Sequence, residues 1–75
     1  MKLKPLGANR TEITRADGTV ILYSYSTPVA AQLGTGGFVR TDKRWSVTTS
    51  KHITQWLEGA HARTVPQADI DSLAG

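Results

Sequence analysis

The sequence predicts a small α+β fold: an antiparallel β-meander of three to five strands packed against one main C-terminal helix, with a second short helix. Three observations predict it. Val20, Ile21, Leu22 and Tyr23 run without a break between an Asp17-Gly18 turn and a Ser26-Thr27-Pro28 bend, as expected of a central strand. Gly34-Thr35-Gly36-Gly37 marks a second hairpin, and Ile53, Trp56, Leu57 and Ala60 recur at i, i+3, i+4 and i+7, an apolar stripe along one helix face. The change from strand to helix falls in the run from Trp45 to Leu57, where the hydrophobic period passes from two to roughly 3.6 across three consecutive hydroxyl residues, Thr48, Thr49 and Ser50.

Taken in order, residues 1–9 carry Pro5 and Gly7 and show no period, so they read as an N-terminal arm. Residues 10–47 form the meander. A polar strand over 10–15 with Ile13 as its apolar contact enters the Asp17-Gly18 turn, where glycine supplies positive φ. The register beyond is open: a two-residue loop pairs Ile13 with Leu22, whereas a type I turn with a bulged Gly18 pairs it with Ile21, and the slip exchanges the two faces. After Pro28, which cannot donate to a ladder, Val29, Ala31 and Leu33 point one way. The chain returns through 38–41, turns at Asp42-Lys43 and gives a last strand over 44–47.

The main helix is expected over 48–59, with Thr48 or Thr49 accepting from a backbone N–H at its start and Gly59 at its end. A short helix follows over 65–74, with Pro66 in its first position and Ile70, Leu73 and Ala74 as its apolar side.

A chain of 75 residues makes one domain, and a domain that size buries only roughly 60% of the surface its unfolded chain exposes. A walled enzyme cleft would compete with the core for the same few large side chains, which weighs against catalysis. Cysteine is absent, so no disulfide or thiolate zinc site is expected and a reducing, cytosolic setting is the simplest one. No apolar run approaches the roughly 20 residues that span a bilayer, and Met1-Lys2-Leu3-Lys4-Pro5 stops short of a signal peptide. A soluble, unexported protein is expected.

The formal net charge of +3 is placed unevenly. Lys2, Lys4 and Arg10 lie near the start, Arg40, Lys43, Arg44 and Lys51 cluster around the strand-to-helix change, and Glu58, Asp69 and Asp71 outnumber Arg63 toward the end. Two histidines, His52 and His61, without a carboxylate cluster fall short of a metal-ligand set, and Ser50 and His52, two apart on a helix, point away from each other. No enzyme, metal or cofactor is expected. His52 borders the apolar stripe, where an imidazole packs on an aromatic ring and bonds a backbone carbonyl; a ligand-facing role is the alternative.

The feature that points most directly to a ligand is the start of the main helix. Unsatisfied N–H groups and the helix dipole favour an anion there, Thr49, Ser50 and Lys51 add donors, and Arg40, Lys43 and Arg44 stand just before it. The six residues form a candidate site for a phosphate or for a carboxylate patch on a partner.

Two segments, Ser24-Tyr25-Ser26-Thr27-Pro28-Val29-Ala30 and Trp45-Ser46-Val47-Thr48-Thr49-Ser50-Lys51-His52-Ile53, resemble a family of short uncharacterised proteins encoded by phages, prophages and plasmids. The likeness runs roughly from Gly18 to Leu57 and carries no catalytic residue over. What it implies is context, an accessory gene of a mobile element working in the cytoplasm of a bacterial host.

The expected function is a non-enzymatic binding module that engages a host or phage macromolecule stoichiometrically, for example as an inhibitor of host defence or a regulator, with a bacterial or phage protein as the first partner. The alternative is a nucleic-acid-binding accessory protein using the basic middle of the chain. No membrane partner is expected, and a homodimer through the sheet is left open because residues 20–23 are apolar on both faces.

Overall fold

The computed structural model describes residues 2–7 and 9–75. Its elements are β1 (Lys2–Gly7), β2 (Arg10–Thr14), β3 (Val20–Ser24), β4 (Thr27–Gln32), β5 (Phe38–Thr41), α1 (Val47–Leu57), β6 (Arg63–Val65) and α2 (Gln67–Ala74). The six strands form one sheet in chain order. The first five are an antiparallel meander, and β6 runs parallel to β5. The fold class is α+β as the sequence predicts, with more strands than expected and with the main helix lying before the last strand.

Both differences have a physical cause. A parallel neighbour cannot be reached through a tight turn and needs a crossover, and α1 is that crossover between β5 and β6. The three residues of β6 are too few to show a period of two. At the other edge the expected arm is strand β1, whose Lys2, Lys4 and Pro5 are residues that natural sheets place on edges to prevent unwanted pairing.

The register left open in the sequence is the bulged one. Ile13 pairs with Ile21; the Gly18 N–H donates to the Arg15 carbonyl at 3.1 Å, the Arg15 N–H to the Thr19 carbonyl at 2.7 Å, and Gly18 sits at φ 91°. The second hairpin repeats this geometry around Leu33, Gly36 and Gly37, although the two turn sequences differ. The turns lie side by side: a Cβ on Gly34 would stand 2.7 Å from the Asp17 carbonyl oxygen.

β3 is covered on both faces, which explains its unbroken apolar run. On one side Leu22, Val29 and Ala30 pack with Ile53 and Leu57 of α1. On the other, Ile21, Ala31, Val39 and Val65 pack with Ile70 of α2. The second face of the sheet is thus filled by α2 from the same chain.

Val29, Ala31 and Leu33 do not share a face. A bulge sets Leu22 opposite Ala30 and Tyr23 opposite Pro28, so Val29 is the extra residue and joins Ala30 on the α1 side while Ala31 turns to α2.

α1 starts earlier than expected. The cap is Ser46, whose Oγ accepts from the Thr49 N–H at 3.1 Å, so residues 44–46 are loop rather than strand and Val47 is already helical. At the far end Glu58 takes a left-handed conformation at φ 51° and Gly59 follows at φ 84°, so the helix stops at Leu57. Pro66 caps α2 from outside, and the helix begins at Gln67.

Candidate functional site

Because β5 and β6 are parallel, their C-terminal ends reach the same edge of the sheet. Each leads into a helix there. The loop 42–46 is pinned across that edge: the Asp42 N–H donates to the Val65 carbonyl at 2.8 Å and the Lys43 N–H to Thr41 Oγ1 at 3.1 Å. Trp45 Nε1 donates to Gln67 Oε1 at 3.2 Å, and Gln67 Nε2 donates to the Pro28 carbonyl at 2.8 Å and to Asp71 Oδ1 at 2.9 Å. Lys43 Nζ lies 4.0 Å from the centroid of the Trp45 ring, within cation–π range.

Between this loop, the first turns of α1 and the β5–β6 edge lies a hollow of about 390 Å³. Of the residues the sequence singles out, Arg40, Lys43, Arg44, Thr49 and Ser50 line it. Lys51 does not; it points to the outer side of α1, beside Val47 and Thr54. Lys51 follows Ser50 by about 100° around α1, which carries it off the face that lines the hollow. Asp42 is the single carboxylate in the lining. Trp45, 42% exposed, and Thr64 of β6 complete the wall.

Neither Thr64 nor Gln67 was visible as a site residue in the sequence. Thr64 needed the unforeseen strand β6, and Gln67 acts from another helix.

Behind the hollow is a buried polar network. Ser24 Oγ lies 3.0 Å from Thr49 Oγ1 and 2.9 Å from His52 Nδ1, and Ser46 Oγ donates to Thr49 Oγ1 at 3.2 Å. The Tyr25 ring is 6.2 Å from the imidazole, centroid to centroid. His52 therefore borders an aromatic ring as the sequence suggests, but its partner is a side-chain hydroxyl rather than a backbone carbonyl. Burial lowers its pKa from the ordinary 6.5, and the positive charge of Arg10 adds to this, both favouring the neutral ring.

A hydroxyl beside an imidazole invites comparison with a nucleophile and its base. Ser24 is 1% exposed, however, so a substrate carbonyl has no path to its Oγ. The network joins β3 to the first turns of α1 and fixes where the helix, and with it the hollow, sits.

Tyr25 is notable for its backbone. It heads the two-residue loop between β3 and β4 at φ 58°, a region a bulky residue rarely occupies, and its N–H donates to the Asn9 carbonyl at 2.7 Å.

Among the described residues no group of three or more His, Asp or Glu side chains is placed to hold a metal ion. Among them, too, no helix is long and apolar enough to cross a membrane.

No curated protein and no solved structure matches the chain. One family model does, over residues 1–72, and the chain belongs to that family, described as a family of unknown function (DUF8033).

Proposed function

We propose that the protein is a non-enzymatic binding module of a phage or mobile element that engages a macromolecule of its bacterial host or of a phage stoichiometrically, through the basic hollow at the head of α1. The observation that carries this is convergence. Arg40 from a strand, Lys43 and Arg44 from a loop, and Thr49 and Ser50 from a helix meet around one hollow with a single carboxylate among them. Like charges gathered on a folded surface repel one another, and a ligand with closely spaced anionic groups relieves that cost.

The polar part of the lining is mainly cations and hydroxyls. With three cations against one carboxylate, Asp42, it offers donors to an anion, and recognition is the chemistry that this balance supports. Inhibition of a host defence or regulation of a host process are the modes that suit a small stoichiometric binder.

Retention on an immobilised polyanion tests the reading. Arg44→Ala and Arg63→Ala remove the same charge, one from the hollow and one from the α2 side. Arg44→Ala is expected to elute at distinctly lower salt than Arg63→Ala, with both variants melting close to the parent. Equal shifts would mean diffuse charge attraction and would end the assignment of the hollow.

A further inference from the structure

The sheet sorts the cations of this protein by face. Glu12 accepts from Trp56 Nε1 of α1 at 2.8 Å, so Glu12 faces α1, and Lys4, which pairs with Glu12, faces the same way, as does Lys2 two residues before it. Arg10 reaches Gln55 of α1 at 2.7 Å. Arg40 is two residues from Phe38, which packs in the α1-side core, while Lys43 and Arg44 line the hollow and Lys51 is on α1 itself. Only Arg15, which donates to the Leu73 carbonyl, and Arg63 lie on the α2 side, together with Asp69 and Asp71.

A second observation concerns Trp45. Its side chain is partly open to solvent, yet it is held by a chain of hydrogen bonds through Gln67 to Pro28 and Asp71. With its N–H satisfied inside the protein and Lys43 Nζ over one side of the ring at 4.0 Å from its centroid, the indole has its opposite π face to offer a ligand. A carboxylate patch on a protein needs the cations and gains little from such a ring. A nucleobase stacks on it whatever its identity.

We infer that the ligand of the hollow is single-stranded nucleic acid, with a base stacked on Trp45 and the adjoining phosphates against Arg40, Lys43 and Arg44, the strand continuing over the basic α1 face. This rests on the reading of the hollow as a polyanion site and names its partner. Gln67 is a positioning residue, since it sets the orientation of the indole without lining the hollow. Lys43, on the other face of the ring, places positive charge across the indole from the stacked base.

The test uses the full chain and a short fluorescein-labelled oligothymidylate, followed by anisotropy at two salt concentrations fourfold apart. With about four phosphates neutralised, affinity falls about fiftyfold between them. Trp45→Ala weakens binding by about tenfold or more while keeping the salt slope, and Trp45→Phe, which retains an aromatic face, keeps most of it. Gln67→Ala gives an intermediate loss. Lys43→Ala with Arg44→Ala flattens the slope instead. A thermal melt of each variant separates these effects from unfolding.

Poly-glutamate and duplex DNA are the competitors. If poly-glutamate binds at the hollow and the oligonucleotide does not, the nucleic-acid assignment is overturned and the polyanion reading stands. If neither binds at low salt, both fall. If the oligonucleotide binds but Trp45→Ala has no effect, or duplex competes as well as single strand, the stacking platform is wrong.

Discussion

Ser24 Oγ and His52 Nδ1 are 2.9 Å apart, a bond between the end of β3 and the middle of α1. Thr49 shares the same hydroxyl, so Ser24 serves two partners from the interior. Ser24→Ala leaves His52 Nδ1 without its partner and Thr49 with Ser46 alone. A loss of about 1–3 kcal/mol in urea unfolding is expected. A variant as stable as the parent would show that neither contact contributes.

The same imidazole sets a pH dependence. Its folded pKa is below 6.5, so as pH falls the unfolded chain takes up the proton first. The stabilisation is fully present above about 6.5 and is lost as pH drops toward the folded value. Unfolding midpoints measured from about pH 7 down to about pH 5 should decline, and His52→Asn, which does not titrate, should flatten that decline. At more acid pH a second decline belongs to Asp17, whose pKa is lowered from 3.8 chiefly by the Thr19 N–H that it accepts. Its contribution is lost as pH falls below that value.

Gly34 is required by space. With the Asp17 carbonyl oxygen 2.7 Å from where its Cβ would stand, Gly34→Ala forces two turns apart and is expected to cost on the order of 1–3 kcal/mol. Gly37, whose Cβ would meet only Leu33 at 4.0 Å, is the control. Equal melting temperatures for the two alanine variants would mean that the turns separate freely.

Ile70 tests whether α2 is part of the core. It is fully buried against β3, β4 and β5 residues, and Ile70→Ala should cost about 2–5 kcal/mol, enough to leave so small a domain near its unfolding threshold. A folded variant with an unchanged midpoint would make α2 an appendage.

Much of this fold could be read from the residues. Gly18 and Gly36 mark two real turns, the apolar run at 20–23 is a doubly covered strand, and Ile53 with Leu57 forms the buried stripe of α1. What escaped were features whose signal is tertiary. A three-residue parallel strand has no pattern of its own, and the bulge at Val29 depends on how Pro28 meets Tyr23 across the ladder. The Ser46-to-Thr49 spacing was a legible cap, but neighbouring Thr48 and Thr49 offered the same chemistry. For the candidate site, five of the six residues singled out along the chain line one hollow, and Lys51 does not, because one residue beyond Ser50 is about 100° around the helix. Ser24 was invisible as a partner of His52, since nothing local relates residues 28 apart.

The parallel pairing of β5 with β6 also sets β6 apart by loop length. Every strand pair of the meander closes through a short connection, whereas β6 is reached through the whole of α1, so loop-closure entropy favours its docking after the meander. The hollow has Thr64 in its wall and is therefore complete only in the finished protein. A ligand that needs the whole wall has no site on the half-folded meander, and it holds the last strand in place: hydrogen exchange at β6 and α2 should slow on binding more than exchange in β2 and β3.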